Sequence, residues 1–319
     1  MFSFLRRVRR SQGITAVGLL PDGFGLVHLE RDADGRPCLR IGEFFSCDDP
    51  TQLGSALGAV VKEHKLERSR CVCVPWADQY TLRQVDAPNV EPQELRDAAR
   101  WSVKDLVDFD VEKAVIDFFE IPEPKSSTSP RASRIYVVAA PQHEIDATAR
   151  AIQSAGLRIK AIDIVELALR NVAALLPHDE HGVGLLFLTP GLGLLTVTRQ
   201  NLLYLARNID VELDQLDLKQ EFFDDAEGEG DGLASLRREV QRSIDYYERQ
   251  FGQDPISVLF VAPLVTPVPS LLEYLAEHLS VEVRPLDLNK LVRSEEPLEE
   301  ALQARCLTAV GGALGEGWA

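Results

Sequence analysis

The chain has 319 residues, 45% hydrophobic and 26% charged, with a formal net charge of -16. That length suits two modest domains or one large one, and that apolar share builds a sizeable core, which excludes a disordered chain. So acidic a protein repels phosphate backbones, which excludes nucleic acid as its partner.

The first ten residues stand apart. Arg6, Arg7, Arg9 and Arg10 interleave with Phe2, Phe4, Leu5 and Val8. Such a segment has the chemistry to touch an anionic membrane surface peripherally, and a frayed basic terminus is the plainer alternative. No secretory signal is evident, and no apolar stretch approaches the roughly 20 residues of a spanning helix.

Residues 14–20 and 26–30 read as two strands of a hairpin around the turn chemistry of Pro21-Asp-Gly-Phe-Gly25. A strand through Leu39 and Ile41, a helix over 51–64 and a buried strand over 70–75 follow. In the last of these, Cys71 and Cys73 fall on one face. The five cysteines are scattered and odd in number, without a C-x-x-C pair, and read as buried thiols of a reducing compartment.

A module begins near residue 80. Its elements are a strand at 82–85, a helix capped by Asn89, an alternating strand at 114–121, a Pro/Ser-rich loop at 122–134, a strand at 135–140 and a helix at 142–155 stopped by Gly156. Three strands at 183–188, 194–198 and 201–206 form a meander. The acidic, glycine-rich stretch 220–232 reads as a loop. The chain then alternates: helix 233–251, strand 257–261, helix 269–279, strand 281–284, and a closing helix 299–314 that ends at Gly311-Gly312. Each half thus opens on an antiparallel meander and continues as alternating α and β.

This order resembles the PilM family, the actin-like proteins of type IV pilus systems. The most specific stretch is 88–119, with Glu94-Leu95, Trp101, the run Lys104-Asp-Leu-Val-Asp-Phe109 and Asp117-Phe-Phe119. Val137-Val-Ala-Ala-Pro141, Ala155-Gly-Leu157, Ala161-Ile-Asp163, Leu167-Ala-Leu-Arg170, the helix at 239–247 and Leu307-Thr-Ala-Val-Gly311 extend the resemblance over nearly the whole chain. Within the family the wording is most similar to the MSHA-type branch.

The resemblance implies an α/β, actin-like fold of two ribonuclease H-like lobes. The first lobe would span 1–165, with an SHS2-like subdomain of the FtsA and PilM kind inserted at about 80–157. The second would span 166–319. It further implies a cytoplasmic scaffold, peripheral at the inner membrane, that binds the tail of a PilN-like single-pass membrane protein within a pilus platform that includes a motor ATPase. A GspL-type secretion platform component shares the fold. Such a chain is expected to continue into a membrane span, whereas this sequence stops at Ala319.

Actin-like ATPases hold phosphates between two hairpin turns that supply acids and glycines. The family's Gly-x-Asp turn is Gly18-Leu19-Leu20 here, its Asp-x-Gly turn is Thr189-Pro190-Gly191, and its Gly-Gly pair is Ala262-Pro263. Proline also removes a donor. The candidate residues of this altered nucleotide cleft are Asp22, Gly23, Gly25, Gly191 and Gly193. The expectation is weak or absent Mg·ATP binding, no hydrolysis, no resident cofactor or metal, and no catalytic residue. The alternative is a nucleotide-gated protein in which Asp22 substitutes for the lost acid. An acid such as Asp163 or Glu166 pointing into the cleft would favour it.

No P-loop and no Gly-x-Ser-x-Gly elbow occurs. The one histidine cluster, His178-Asp-Glu-His181, reads as a solvated loop between Pro177 and Gly182.

Overall fold

The computed structural model describes residues 13–91, 93–122, 133–211, 216 and 232–315. The basic segment 1–10, most of the loop at 122–134 and nearly all of the acidic stretch at 220–232 lie outside the described residues.

The first sheet is built around β1 (Ile14–Leu20), which pairs antiparallel with β2 (Gly23–Arg31). β2 in turn pairs with β3 (Pro37–Ser46). On its other side β1 lies parallel to β4 (Arg70–Val74), and β4 lies parallel to β8 (Arg158–Ile162). β1 and β2 are covered on both faces, which is why they read as unbroken apolar runs. Alternation divides their side chains. Val17, Leu19, Phe24, Leu26, Cys71 and Cys73 face Leu57, Val60 and Ile152 on α1 (Leu53–Glu63) and α3 (Gln142–Ser154). Burial there pushes the Cys73 thiol up to about 12.

The second sheet is the meander β9 (Val183–Thr189), β10 (Leu192–Arg199) and β11 (Leu202–Ile209), extended by the parallel strands β12 (Val258–Val261) and β13 (Glu282–Pro285). Its outer face takes Leu236, Val240, Ile244 and Tyr247 of α5 (Gly232–Phe251) and Leu271 and Leu275 of α6 (Leu271–His278).

Between the two sheets lie α4 (Val165–Ala173) and α8 (Glu300–Gly315). They bury one continuous core. Ile14, Ala16, Val27 and Leu29 of the first sheet share it with Val183, Leu185, Phe187 and Leu194 of the second. A helix buried this completely carries uncharged, mostly apolar residues around its circumference, and α8 does from Cys306 to Leu314. Gly311 and Gly312 do not end this helix; they lie inside it. A Cβ at Gly311 would run into the Ala168 carbonyl of α4, and one at Gly312 would stand 2.7 Å from Val74 Cγ2. The pair lets α8 approach both α4 and the first sheet.

Two short elements escaped the sequence pattern, α7 (Leu288–Leu291) and β14 (Arg293–Ser294). β14 adds a parallel edge to β3. The chain therefore returns to the first sheet after completing the second, and a division at 165/166 does not separate the two packing units.

The third sheet has the order β5-β7-β6, from β5 (Thr81–Asp86), β6 (Ala114–Glu120) and β7 (Arg134–Pro141). One face is covered by α2 (Leu95–Ser102), through Ala99 and the following Val103 against Ile116, Ile135 and Val137. This helix starts at Leu95 rather than just after Asn89, because residues 93–94 form a turn first. The inserted unit ends at Pro141 rather than near 157. The helix that follows, α3, packs on α1 and the first sheet through Ile152.

Candidate binding clefts

At the tip of the first hairpin, Asp22 accepts a hydrogen bond from Arg305 Nη1 of α8 at 2.7 Å. The Arg305 guanidinium also lies over the Phe44 ring, 3.9 Å from its centroid. Gly25 sits beneath this contact, where a Cβ would be 2.5 Å from the Arg305 carbonyl oxygen. A Cβ at Gly23 would run into the Phe45 carbonyl. Both glycines are thus explained by the close approach of β3 and α8. Leu19 and Leu20, standing where the resemblance places Gly-x-Asp, line a cleft of about 400 Å³ together with Pro21, Pro50, Leu53 and Trp76. Ala147 and Ala151 of α3 form its opposite side, and Asp78 and Glu144 are its acids.

The second hairpin turns through Pro190 and Gly191, with Gly191 at a φ of 77°. Proline followed by glycine at positive φ is the chemistry of a type II turn. Gly193 lies on β10, where a Cβ would stand 2.5 Å from the Ile209 carbonyl oxygen. Gly191 lines a different cavity, of about 500 Å³, facing Tyr80, Arg83, Glu166, Arg207 and Asn208. Trp76 and Asp78 line both spaces and form the wall between them. The structure therefore keeps Asp22, Gly23 and Gly25 on the first hairpin and Gly191 and Gly193 on the second, and of the five only Gly23 lines the smaller cleft and only Gly191 the larger cavity.

Glu166 joins Asp78 as an acid of the larger cavity. It lies on the first turn of α4, 6% exposed, and accepts a hydrogen bond from the Tyr80 hydroxyl at 2.7 Å. Tyr80 in turn accepts from the Val165 N–H at 3.0 Å, which satisfies one of the donors that a helix start leaves open. Burial pushes the Glu166 carboxyl above its ordinary range. Burial, followed by the adjacent Glu166, pushes the Tyr80 phenol well up. Asp163 does not line this cavity. Its Oδ1 accepts from the Ile164 N–H at 2.9 Å, and its charge helps to hold Arg170 protonated against desolvation.

The third turn is packed shut. Ala262 is 2% exposed and donates its N–H to the Leu186 carbonyl, and Pro263 is buried beside it. No group of histidine, cysteine, aspartate and glutamate among the described residues is arranged to hold a metal ion. The smaller cleft offers apolar walls and two acids, suited to an extended apolar segment with a cation beside it. The larger offers hydrogen-bonding groups of both signs. Sequence reasoning missed Arg305, Tyr80, Trp76 and Asp78. Arg305 had a signal, as the one charge in the otherwise uncharged stretch from Ala301 to Leu314.

The sequence matches no profile of a described protein family, and no curated protein matches it. The fold does have solved counterparts. The PilM–PilN type IV pilus biogenesis complex contains a chain 17% identical, with a TM-score of 0.72, covering 95% of this chain and 98% of that one. A Bacteroides thetaiotaomicron protein of actin-like ATPase fold and unknown function is 10% identical, with a TM-score of 0.50, covering 96% and 99%. The cytoplasmic domain of EpsL, an inner-membrane component of the Vibrio cholerae type II secretion system, is 14% identical, with a TM-score of 0.49, covering 93% and 94%. The first two likenesses establish an actin-like fold over nearly the whole chain.

Proposed function

We propose that this chain is a PilM-like scaffold of a type IV pilus platform, of the MSHA type and the counterpart of MshI. It acts in the cytoplasm at the inner membrane and holds the tail of a PilN-like membrane protein. The observation that carries this reading is the apolar cleft at the first hairpin, where Leu19 and Leu20 occupy the turn that would otherwise present an acid to a nucleotide. The likeness to the chain of the PilM–PilN complex supports it. Preformed clefts with apolar walls and a few placed polar groups suit short extended peptides. Asp78 and Glu144 favour a lysine or arginine next to the apolar anchor. A scaffold seated there would hand the platform's motor ATPase a fixed point at the membrane. No helix among the described residues is long and apolar enough to cross a membrane.

The test is a titration of the full chain with peptides of the cytoplasmic tails of PilN-like proteins. Ala147 is exposed on α3 at the edge of the cleft, so Ala147→Tyr fills the cleft without disturbing the core. Binding in the micromolar range that Ala147→Tyr weakens at least about tenfold supports the proposal. Binding indifferent to Ala147→Tyr, or none to any tail, removes it.

A second reading has one observation in its favour. Glu166 and Gly191 line the same larger cavity, so an acid is available to a nucleotide-gated protein. Calorimetry with Mg·ATP separates the two readings.

A further inference from the structure

The inserted unit presents an apolar residue of unusual exposure. Trp101, near the end of α2, is 53% exposed, and Leu106 just beyond is 46% exposed. Large exposed aromatics of this kind mark interaction surfaces. The surroundings are strongly acidic: residues 86–120 contain ten acids against four bases. Three of those bases are already engaged. Arg96 pairs with Asp117, Lys113 pairs with Asp110, and Arg100 donates to the Val111 and Ala114 carbonyls. The fourth, Lys104, lies over the Trp101 ring at 5.3 Å, so the ring face already attracts a cation. Asp97 lies one turn before Trp101 on the same helix face, and Glu94 one turn further. Both are exposed, and neither is in an ion pair with another described residue.

A surface made of an aromatic ring among carboxylates fits a short segment that alternates arginine with apolar side chains. The chain carries one. Residues 2–10 contain Phe2, Phe4, Leu5 and Val8 among four arginines and no acid. The topology also says which copy it would meet. The chain enters β1 at Ile14, opposite Arg70 at the start of the parallel strand β4, whereas the inserted unit leaves from the far end of β4 through Trp76–Tyr80. Root and acceptor lie at opposite ends of the first sheet. The seven residues of β1 already cover about 23 Å. Twelve fully extended residues reach at most about 40 Å. Meeting the acceptor of a second molecule needs no doubling back.

We infer that the arginine–aromatic segment 2–10 of one copy docks on the Trp101 face of the next, giving a head-to-tail association of this chain that is independent of the tail cleft proposed above. Such a contact is heterologous, building a ring where its rotation closes and an open chain where it does not.

The experiment is sedimentation velocity on the full chain and two full-length variants. One replaces Arg6, Arg7, Arg9 and Arg10 with glutamate, and the other is Trp101→Ala. The wild type is expected to associate with rising concentration, with at least about tenfold weaker association when salt is raised from 0.1 to about 0.5 M. Each variant alone should remain monomeric. Their equimolar mixture should form a dimer and nothing larger, because the arginine variant keeps the acceptor and Trp101→Ala keeps the segment. Trp101→Phe should behave as wild type, which rules out a mere folding defect. A monomeric wild type at about 100 µM overturns the inference, as does a mixture that stays monomeric. Loss of anionic-vesicle binding in the arginine variant, with its self-association unchanged, assigns the segment to a membrane surface and overturns it too.

Discussion

Arg305 and Asp22 are 283 positions apart in the chain and 2.7 Å apart in space. This contact ties the tip of the first hairpin to the helix that closes the fold. It also engages the acid that sequence alone offered as a substitute metal ligand. The pair is accessible, with the Asp22 side chain 51% exposed and that of Arg305 24% exposed. Asp22→Ala is therefore expected to cost less than about 1 kcal/mol. Arg305→Ala also loses the contact with Phe44 and is expected to cost about 1–2 kcal/mol. Midpoints of urea unfolding at constant slope measure both.

Mg·ATP titrated into about 50 µM protein is expected to give no heat, or an affinity weaker than about 1 mM, equivalent to about 4 kcal/mol of binding free energy. Micromolar, Mg²⁺-dependent binding would instead support the nucleotide-gated reading. Glu166→Gln should then abolish the metal dependence, and Asp22→Ala should leave it unchanged.

Glu166 makes stability depend on pH. Burial raises its folded-state value above the 4.5 of a free glutamate, so folding takes up a proton there. That contribution is complete below about pH 4.5 and is lost as pH rises through the folded-state value. Glu166→Gln removes the slope, so the Tm of the variant relative to wild type is expected to climb as pH rises above about 4.5. Tyr80→Phe leaves the Val165 N–H and the Glu166 carboxyl without their partner, at about 1–3 kcal/mol.

Much of the architecture was legible because local patterns matched the fold. The covered strands at 14–20 and 183–189 announced themselves as apolar runs, and Gly156, at a φ of 90°, ended α3 where expected. The candidate site was legible only in part. Asp22 and the four glycines stand out in the sequence, but hairpin turns and nucleotide loops use the same residues. What distinguishes them here is a partner on a distant element, such as Arg305, the Phe45 carbonyl or the Ile209 carbonyl. Gly311 and Gly312 misled for a related reason. Glycine near the end of an apolar stretch signals a helix stop, while glycine at a helix crossing signals contact, and one sequence cannot separate the two. β14 is two residues long and has no pattern to read.

Gly311→Ala tests that crossing. The new methyl group would run into the Ala168 backbone, which cannot move aside as a flexible side chain would. The Asn171 amide, which donates to the Gly311 carbonyl at 2.9 Å, would be displaced with it. The expected cost is about 1–3 kcal/mol, despite the better helix propensity of alanine. Chemical unfolding gives the value. The same change at Gly35, whose Cβ position is open but whose φ is 80°, separates backbone strain from crowding.

The return of residues 293–315 to the first sheet has a consequence for biosynthesis. During translation the first four strands emerge early, but the α8 side of their sheet stays bare until residues 300–315 have been made. Ile14, Ala16, Val27, Leu29, Val72 and Val74 would all be uncovered for that interval. At about 5–20 residues per second, the roughly 240 residues between β4 and the end of α8 take on the order of 10–50 seconds to appear. Until then the N-terminal half lacks the helix that covers one face of its sheet, so complete packing of that half waits for the end of the second.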